Sequence, residues 1–282
     1  MSDTDQFTNP IVEVADTDET SSQVRIEATE GGAATVWINR PERRNAFDSI
    51  TIAALHEKFE TLAGAEGVRI VFVRGVGGAF SAGADVEWMR EAAILTEADN
   101  RDDAMMLAKM LKSLSDLPQL TVALVEGPAF GGGAGIVAAC DMAIATADAR
   151  FAFSEVKLGL IPATISPYVV EAIGPRTARG LFATGRIFDA AHAHHIGLVD
   201  EVVADTAALD AAQARLATDI LACAPGAVTD ARKLVNDVYG RPIDQELMSD
   251  TAHRIAKARV SAEGKEGVAA FLEKRKPDWT NP

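Results

Sequence analysis

The residues with the clearest chemical potential lie between Val125 and Pro162. An apolar run, Leu120 to Val125, predicts a buried strand, and three consecutive glycines follow at positions 131–133. The next segment, Ala134 to Cys140, has no polar face, which is typical of a buried helix. Glycines between a strand and a helix leave backbone N–H groups uncovered at the positive end of the helix dipole. This stretch can therefore stabilise developing negative charge.

Glu155 is the candidate acid/base, because it follows the glycines closely and stands among apolar residues such as Phe153 and Leu158. Burial among apolar side chains disfavours the charged carboxylate and raises its pKa. Three other acids, Asp85, Glu87 and Asp141, lie at predicted helix ends and fit capping roles. Glu126 at a strand end fits either role. An anion hole beside a tuned carboxylate is the predicted functional centre.

The elements that position this centre alternate between strand and helix, which indicates an α/β fold of βαβ-type units with right-handed crossovers. From Gly174 onward the predicted elements are helices. We predict a disordered acidic tail over residues 1–22, an α/β core with the site over 23–204, and a helical C-terminal region over 205–282. The predicted strands are Val24–Ala28, Ala34–Asn39, Arg69–Arg74, Leu120–Val125 and Met142–Ala145. The predicted helices are Ser49–Leu62, one from Val86, Glu97–Ser115, Ala134–Cys140, Pro175–Ala183, Ala190–His195, Thr206–Ala222, Ala227–Val238, Ile243–Ala258 and Ser261–Lys274.

Composition excludes several classes of protein. The formal net charge of −14 argues against sequence-independent nucleic-acid binding, which needs clustered Lys and Arg. The two cysteines, Cys140 and Cys223, fit a reducing compartment without disulfides. The N-terminus shows no secretory signal, and the apolar run around the glycines is too short to span a bilayer. We therefore expect a cytoplasmic protein with neither a nucleic-acid nor a membrane partner.

Three alternative sites are disfavoured by the motifs themselves. The dinucleotide motif G-x-G-x-x-G fails because Ile136 stands where its last glycine belongs, and no P-loop is present. Ser81 misses the nucleophile elbow by one glycine, and the histidines lack evident acid partners. His192 and His195 have no obvious third ligand. We expect no metal and no resident cofactor.

Five motifs stand along the chain: NRPERRNAF (39–47), AFSAGAD (79–85), EGPAFGGG (126–133), ACD (139–141) and FSEVKLGLIP (153–162). Together they resemble the crotonase superfamily, the enoyl-CoA hydratase/isomerase family, over about Val24 to Trp279. The resemblance implies an α/β crotonase (ClpP-like) spiral of ββα units with a helical C-terminal oligomerisation region, and hence a homotrimer or hexamer. It also implies an acyl-CoA substrate, with CoA as the thioester carrier.

The resemblance also implies roles for individual residues. Glu155 would be the catalytic acid/base, and the backbone N–H groups of Ala82 and Gly132 would form the oxyanion hole. The implied CoA-binding residues are Arg44, Ala46, Ala82, Ala84, Asp85, Val86, Phe271 and Lys274, the last two often reaching CoA across a subunit boundary. The implied acyl pocket comprises Trp88, Phe130, Gly131, Gly135, Ile161, Pro162 and Ile165.

Two departures from the family pattern bear on the reaction. Hydratases of the family carry a second glutamate at the position of Gly135, and many members have I-P-G-x-G-G where this chain has Ile161 to Ser166. The run Ile161 to Tyr168, together with the preceding FGGGAGIV (130–137), is similar to that of bacterial hydratases of branched, carboxylated enoyl-CoAs of the methylglutaconyl-CoA type. Thr164, Ser166 and Tyr168 could bind a polar acyl group or only form a turn.

The sequence therefore predicts a hydro-lyase that adds water to a 2-enoyl-CoA with a single glutamate. Two alternatives stay open. Glu155 could instead shuttle a proton between C2 and C4, which would make the protein an enoyl-CoA isomerase. A crotonase homologue that binds acyl-CoA without catalysis is the other alternative.

Overall fold

The computed structural model describes residues 11–13, 23–29 and 31–280. Most of the predicted N-terminal tail, residues 1–22, lies outside the described residues. Within that tail Ile11–Glu13 form β1, which pairs antiparallel with β2 (Val24–Thr29).

A seven-stranded sheet forms the centre of the fold, in the order β1-β2-β3-β4-β5-β7-β10. Its first two pairings are antiparallel, and the strands from β3 onward run parallel. The remaining strands of this sheet are β3 (Ala33–Ile38), β4 (Ile70–Gly75), β5 (Leu120–Val125), β7 (Met142–Thr146) and β10 (Glu201–Val203).

A second, three-stranded sheet has the order β6-β8-β9. Strands β6 (Pro128–Phe130) and β8 (Arg150–Ala152) are parallel, and β9 (Phe188–Asp189) pairs antiparallel with β8. Sequence analysis did not predict these strands, because each is only two or three residues long and carries no measurable periodicity.

The helices follow the predicted order, with one clear difference in α5. The sequence predicts a helix over Pro175–Ala183, whereas α5 begins at Ser166 and bends at Gly174, where φ is 73°. The helices are α1 (Ser49–Ala63), α2 (Val86–Ala92), α3 (Glu97–Ser115), α4 (Gly132–Ala139), α5 (Ser166–Thr184), α6 (Ala190–His195), α7 (Thr206–Leu221), α8 (Pro225–Val238), α9 (Gln245–Val260) and α10 (Ala262–Glu273). Short 3-10 helices cover Pro41–Arg43, Glu155–Leu158 and Asp278–Thr280.

The central strand β4 of the seven-stranded sheet is buried on both faces. Val71 and Val73 of β4 join the large core that α1, α3, α4 and α5 cover, while Ile70 and Phe72 face a smaller cluster with Leu209 of α7. A strand buried on both faces is a continuous apolar run, as β4 is. The predicted boundary near Ala204 therefore precedes a helix that packs on the core sheet. None of the helices in the described ranges is long and apolar enough to cross a membrane.

Candidate active site

The site is built at the ends of parallel neighbouring segments. Strands β6 and β8 run side by side, and at their ends the Gly131 N–H donates to the Ala152 carbonyl oxygen at 2.9 Å. Ser81 bridges to Ala129 on the other side of β6. Because parallel segments end at the same edge, AFSAGAD, the glycine loop and Glu155 meet there.

The glycine loop ends in an uncapped helix. Gly131 is the N-cap of α4, its φ is 49°, and it has no side chain with which to cap. None of the acceptors in the described part of the chain takes the Gly132 N–H. The first N–H groups of a helix carry its partial positive charge. Gly132 thus presents a donor suited to an oxyanion, as the sequence predicts.

The structure corrects the second predicted donor. The Ala82 N–H already donates to the Arg44 carbonyl oxygen at 2.9 Å, so it is not available to a substrate. The N–H groups on either side of Ala84 also have acceptors. The Gly83 N–H donates to Ser81 Oγ, and the Asp85 N–H donates to the Phe47 carbonyl oxygen. The Ala84 N–H lies between them and has no acceptor among the residues described.

Close contacts between glycines bring the two free donors together. The α-carbon of Gly83 lies 4.0 Å from the position that a Cβ on Gly131 would take. A Cβ on Gly83, where φ is 93°, would lie 3.1 Å from the Phe130 carbonyl oxygen. Gly83 is needed for this approach, because a side chain there would press against the Phe130 carbonyl oxygen. Ala84 and Gly132 each follow one of these glycines directly.

Glu155 faces this loop. It begins the 3-10 helix Glu155–Leu158, directly after β8, and its Oε1 lies 3.3 Å from where a Cβ on Gly131 would be. Its Oε2 is buried and has no hydrogen-bond partner among the residues that the structure describes. Burial raises the pKa of Glu155, and a hydrogen bond from its own backbone N–H only partly offsets this effect. A carboxyl group with a raised pKa and one oxygen without a partner can exchange a proton, which fits the predicted acid/base.

The other acids near the centre are committed to structure. Asp85 caps α2 by accepting from the Glu87 N–H and pairs with Arg40 at 3.2 Å. Burial alone would raise the pKa of Asp85, but the Glu87 N–H and the charge of Arg40 outweigh it and lower the pKa. Glu126 accepts from Arg74 and from the Thr206 hydroxyl. Of the two roles that the sequence left open for Glu126, these bonds favour the structural one.

Ser81 is also structural. It is fully buried, and its Oγ accepts from the Gly83 N–H at 3.2 Å. A Cβ on Gly133 would lie 2.7 Å from the Ser81 Cβ, so the serine side chain packs directly against the backbone of α4. This position agrees with the rejection of a serine hydrolase.

Asn45 is a site residue that sequence reasoning missed. It is fully buried with a φ of 56°, its Oδ1 accepts from the Arg40 N–H, and its Nδ2 donates to the carbonyl oxygens of Val76 and Ala79. These bonds hold Arg44 and Ala46 beside AFSAGAD. One signal in the sequence could have indicated this role. Asparagine tolerates a positive φ, so an asparagine inside a basic loop is a candidate for a tight turn.

The remaining predicted residues divide into two groups. Near the site, Trp88 and Phe130 are half-buried, Ala46, Pro162 and Ile165 are buried, and Arg44, Ala84, Val86 and Ile161 are exposed. Phe271 and Lys274 do not join the site of their own chain. Phe271 lies on α10 and Lys274 follows it. Trp279, which packs against Gly267 of α10, accepts a hydrogen bond from Arg69, just before β4. The site lies beyond the other end of that strand. β4 alone spans about 17 Å.

Comparison with known proteins identifies the family. The family model described as enoyl-CoA hydratase/isomerase matches residues 28–282. The chain belongs to the enoyl-CoA hydratase/isomerase family. It is 34% identical over 252 residues to a protein of Thermus thermophilus provisionally named an enoyl-CoA hydratase, covering 89% of this chain and 99% of that protein.

Solved structures of this family share the fold. A protein of Legionella pneumophila, provisionally described as an enoyl-CoA hydratase/isomerase (crotonase), is 43% identical with a TM-score of 0.88, covering 92% of this chain and 99% of that one. An enoyl-CoA hydratase of Shewanella pealeana is 37% identical with a TM-score of 0.87, covering 93% of this chain and all of that one (100%). The α/β crotonase fold predicted from the sequence is confirmed.

Proposed function

We propose that this enzyme adds water to the double bond of a 2-enoyl-CoA. Glu155 acts as the acid/base, and the N–H groups of Ala84 and Gly132 form the oxyanion hole. The observation that carries the proposal is the Glu155 carboxyl group at the uncapped start of α4. Its Oε1 lies 3.3 Å from where a Cβ on Gly131 would be, and its buried Oε2 has no hydrogen-bond partner among the described residues. Buried polar groups are normally paired, so an unpaired carboxyl beside unpaired donors indicates a place for a reactive substrate.

One carboxylate can complete the hydration in two proton transfers. Glu155 takes a proton from water as the water oxygen bonds to C3, and the electrons of the C2=C3 bond move towards the thioester carbonyl. The resulting enolate oxygen accepts hydrogen bonds from the Ala84 and Gly132 N–H groups. The Glu155 carboxylic acid then returns a proton to C2, which leaves a 3-hydroxyacyl-CoA and an ionised Glu155.

A specific contact favours isomerisation as the second candidate. The second glutamate of family hydratases is replaced by Gly135, and the space next to Gly135 is filled by Ile165. In that case Glu155 would remove a proton from C2 of a 3-enoyl-CoA and return it to C4, with no water added. The same oxyanion hole would hold the dienolate formed between these two steps.

For the acyl group, we propose a branched, carboxylated chain of the 3-methylglutaconyl type, on the resemblance of residues 161–168 together with residues 130–137. Of the three hydroxyls in that region, Ser166 donates to the Ala163 carbonyl oxygen at 2.7 Å. Tyr168 lines a separate cavity of about 380 Å³ with Cys140 and Arg232. Thr164, which is half-buried, is the hydroxyl proposed to contact a polar acyl group.

We also propose a homotrimer or hexamer in which one copy completes the CoA site of another. Phe271 is 83% exposed and lies away from the site of its own chain. A cationic residue such as Lys274 from a neighbouring copy would suit the CoA phosphates on this acidic protein.

The test of the reaction is the ultraviolet absorbance of the conjugated enoyl thioester. Crotonyl-CoA, 3-methylglutaconyl-CoA and a 3-enoyl-CoA are offered separately to the purified enzyme. Loss of the chromophore from either conjugated substrate supports hydration, and a preference for 3-methylglutaconyl-CoA supports the proposed acyl group. Gain of the chromophore from the 3-enoyl-CoA alone supports isomerisation. Tight CoA binding without any turnover would refute both.

The oxyanion hole is tested by replacing one backbone N–H with an ester oxygen, which leaves the side chain unchanged. Incorporating the lactic-acid analogue of alanine at position 84 should lower kcat about 10²- to 10³-fold. The matched control is the same change at position 82, which removes the bond to the Arg44 carbonyl oxygen and should mainly lower the melting temperature. The opposite pattern would restore Ala82 as the donor.

A further inference from the structure

Two positions that depart from the family pattern contact each other in the structure. A Cβ on Gly135 would lie 2.3 Å from Ile165 Cγ2, 2.9 Å from its Cβ and 3.9 Å from its Cα. The first two distances are shorter than any ordinary van der Waals contact. Ile165 is only 2% exposed. Its side chain therefore occupies the volume into which any side chain at position 135 would project.

This volume lies beside the proposed acid/base. Gly135 lies about one turn after the start of α4, and α5, which Ile165 precedes, contacts both α4 and the 3-10 helix that Glu155 begins. A Cβ on Gly131 would lie 3.3 Å from Glu155 Oε1. Ile165 reaches this volume from the start of α5, where it is the N-cap but provides no capping hydrogen bond. Its role there is packing.

We propose that Ile165 is a specificity-determining residue which keeps this site to a single acid/base. The inference rests on the proposed role of Glu155. The Ile165 side chain fills with hydrocarbon the space that a second carboxyl group would need. Hydrocarbon can neither hold a water molecule nor exchange a proton. Water or substrate carbon can then be deprotonated only at Glu155. Gly135 and Ile165 are thus a matched pair, and neither can be changed towards the two-glutamate pattern alone.

The contact is tested first by stability, which does not depend on substrate. Gly135→Ala is made in the wild type, in Ile165→Ala and in Ile165→Gly, and each pair is compared by its melting temperature. Forcing a methyl group against Ile165 should lower the melting temperature by about 5 °C. With Ile165→Ala the Cβ remains 2.9 Å away and the drop should be smaller, and with Ile165→Gly it should vanish.

Gly180→Ala is the matched control, because it lies inside α5 with no atom within 4 Å of an added Cβ. It should leave the melting temperature unchanged or raise it slightly. An equal drop for Gly135→Ala in all three backgrounds would overturn the proposal, since Ile165 would then not be the group that excludes a side chain.

The second test asks whether a second acid can work once Ile165 is removed. Gly135→Glu alone should hydrate crotonyl-CoA poorly, while Gly135→Glu with Ile165→Gly should be at least about 10-fold faster than that single variant. A double variant no faster than Gly135→Glu, in a wild type that turns over, refutes this inference alone. A wild type without turnover of any enoyl-CoA refutes the proposed function instead.

Discussion

The acids at the two ends of α4 differ in their hydrogen bonding. At the start of the helix, Gly131 provides no side-chain cap, and Glu155 Oε2 has no hydrogen-bond partner within the described ranges. Just past the end, Asp141 Oδ2 accepts from the Thr121 N–H and hydroxyl at 2.8 Å each, and from Arg232 Nε at 2.6 Å. Both acids are close to the core, but only one has its hydrogen-bonding capacity used within the chain.

This difference separates stability from chemistry. A paired acid such as Asp141 joins β5, α4 and α8 and contributes to the free energy of unfolding. An unpaired buried acid costs free energy in the folded state and persists where a substrate needs it. We therefore expect substitutions at the two ends of α4 to affect different measurements.

The largest expected effect is on turnover at Glu155. Glu155→Gln keeps the shape of the side chain but cannot exchange a proton, so kcat should fall about 10²- to 10⁴-fold. The matched control, Asp141→Asn at the other end of α4, should keep kcat within about 2-fold and lower the melting temperature instead. Full turnover by Glu155→Gln with a verified substrate would show that the acid/base is another group.

The next largest effect is on stability at Arg232. Its side chain donates to Asp141 and to the carbonyl oxygens of Leu117 and Ser115, and Arg232→Met removes all of these donors. The free energy of unfolding should fall by about 2 kcal/mol, measured by denaturant titration. Turnover should be unchanged. A loss of kcat without a loss of stability would mean that the two ends of α4 are not functionally separate.

The pH dependence of turnover should report the same asymmetry. Because burial raises the pKa of Glu155 and the carboxylate must accept the first proton, kcat/KM should decline on the acid side with an apparent pKa above 4.5. An acid limb at or below 4.5 would show that the group which must be ionised is not in a buried setting.

The smallest effect is on the pH dependence of stability. The folded pKa of Glu155 lies above its unfolded value, so the stability from this group is present below the unfolded pKa and is lost as pH rises through the folded pKa. Glu155→Gln should therefore gain about 1–2 °C in melting temperature relative to wild type as pH rises through that window.

Asp85 provides the control of opposite sign for that measurement. Its pKa is lowered, so its stabilising contribution is present above the unfolded pKa and is lost as pH falls through the folded pKa. The deficit of Asp85→Asn relative to wild type should shrink in acid. The same sign for both variants would contradict the assignment of one acid to chemistry and the other to structure.

Local patterns predicted most elements and the outline of the site. The continuous apolar run of β4, the uniformly apolar α4 and the periodicity of α3 each depend on a few neighbouring residues, and each is present in the structure. The N-caps Asp48 and Thr96 accept from the N–H three residues ahead. The position of Glu155 could be predicted because its apolar neighbours are adjacent in the chain.

Other features depend on partners distant in sequence and could not be predicted. The motif indicated Ala82 as an oxyanion donor, but the Arg44 carbonyl oxygen takes that N–H and leaves the one at Ala84 free. No periodicity predicted that Ile165 fills the space next to Gly135.

The sequence by itself determined the alternation of strands and helices, the glycine loop and the acid among apolar neighbours, because residue type and local spacing decide backbone freedom and apolar surroundings. Its five motifs indicated the family by resemblance. Only the tertiary structure decided which backbone donors are free, which acids are paired and how much room remains beside Glu155. Hydrogen bonds and van der Waals exclusion act between atoms a few ångströms apart, and the fold brings those atoms together from remote parts of the chain.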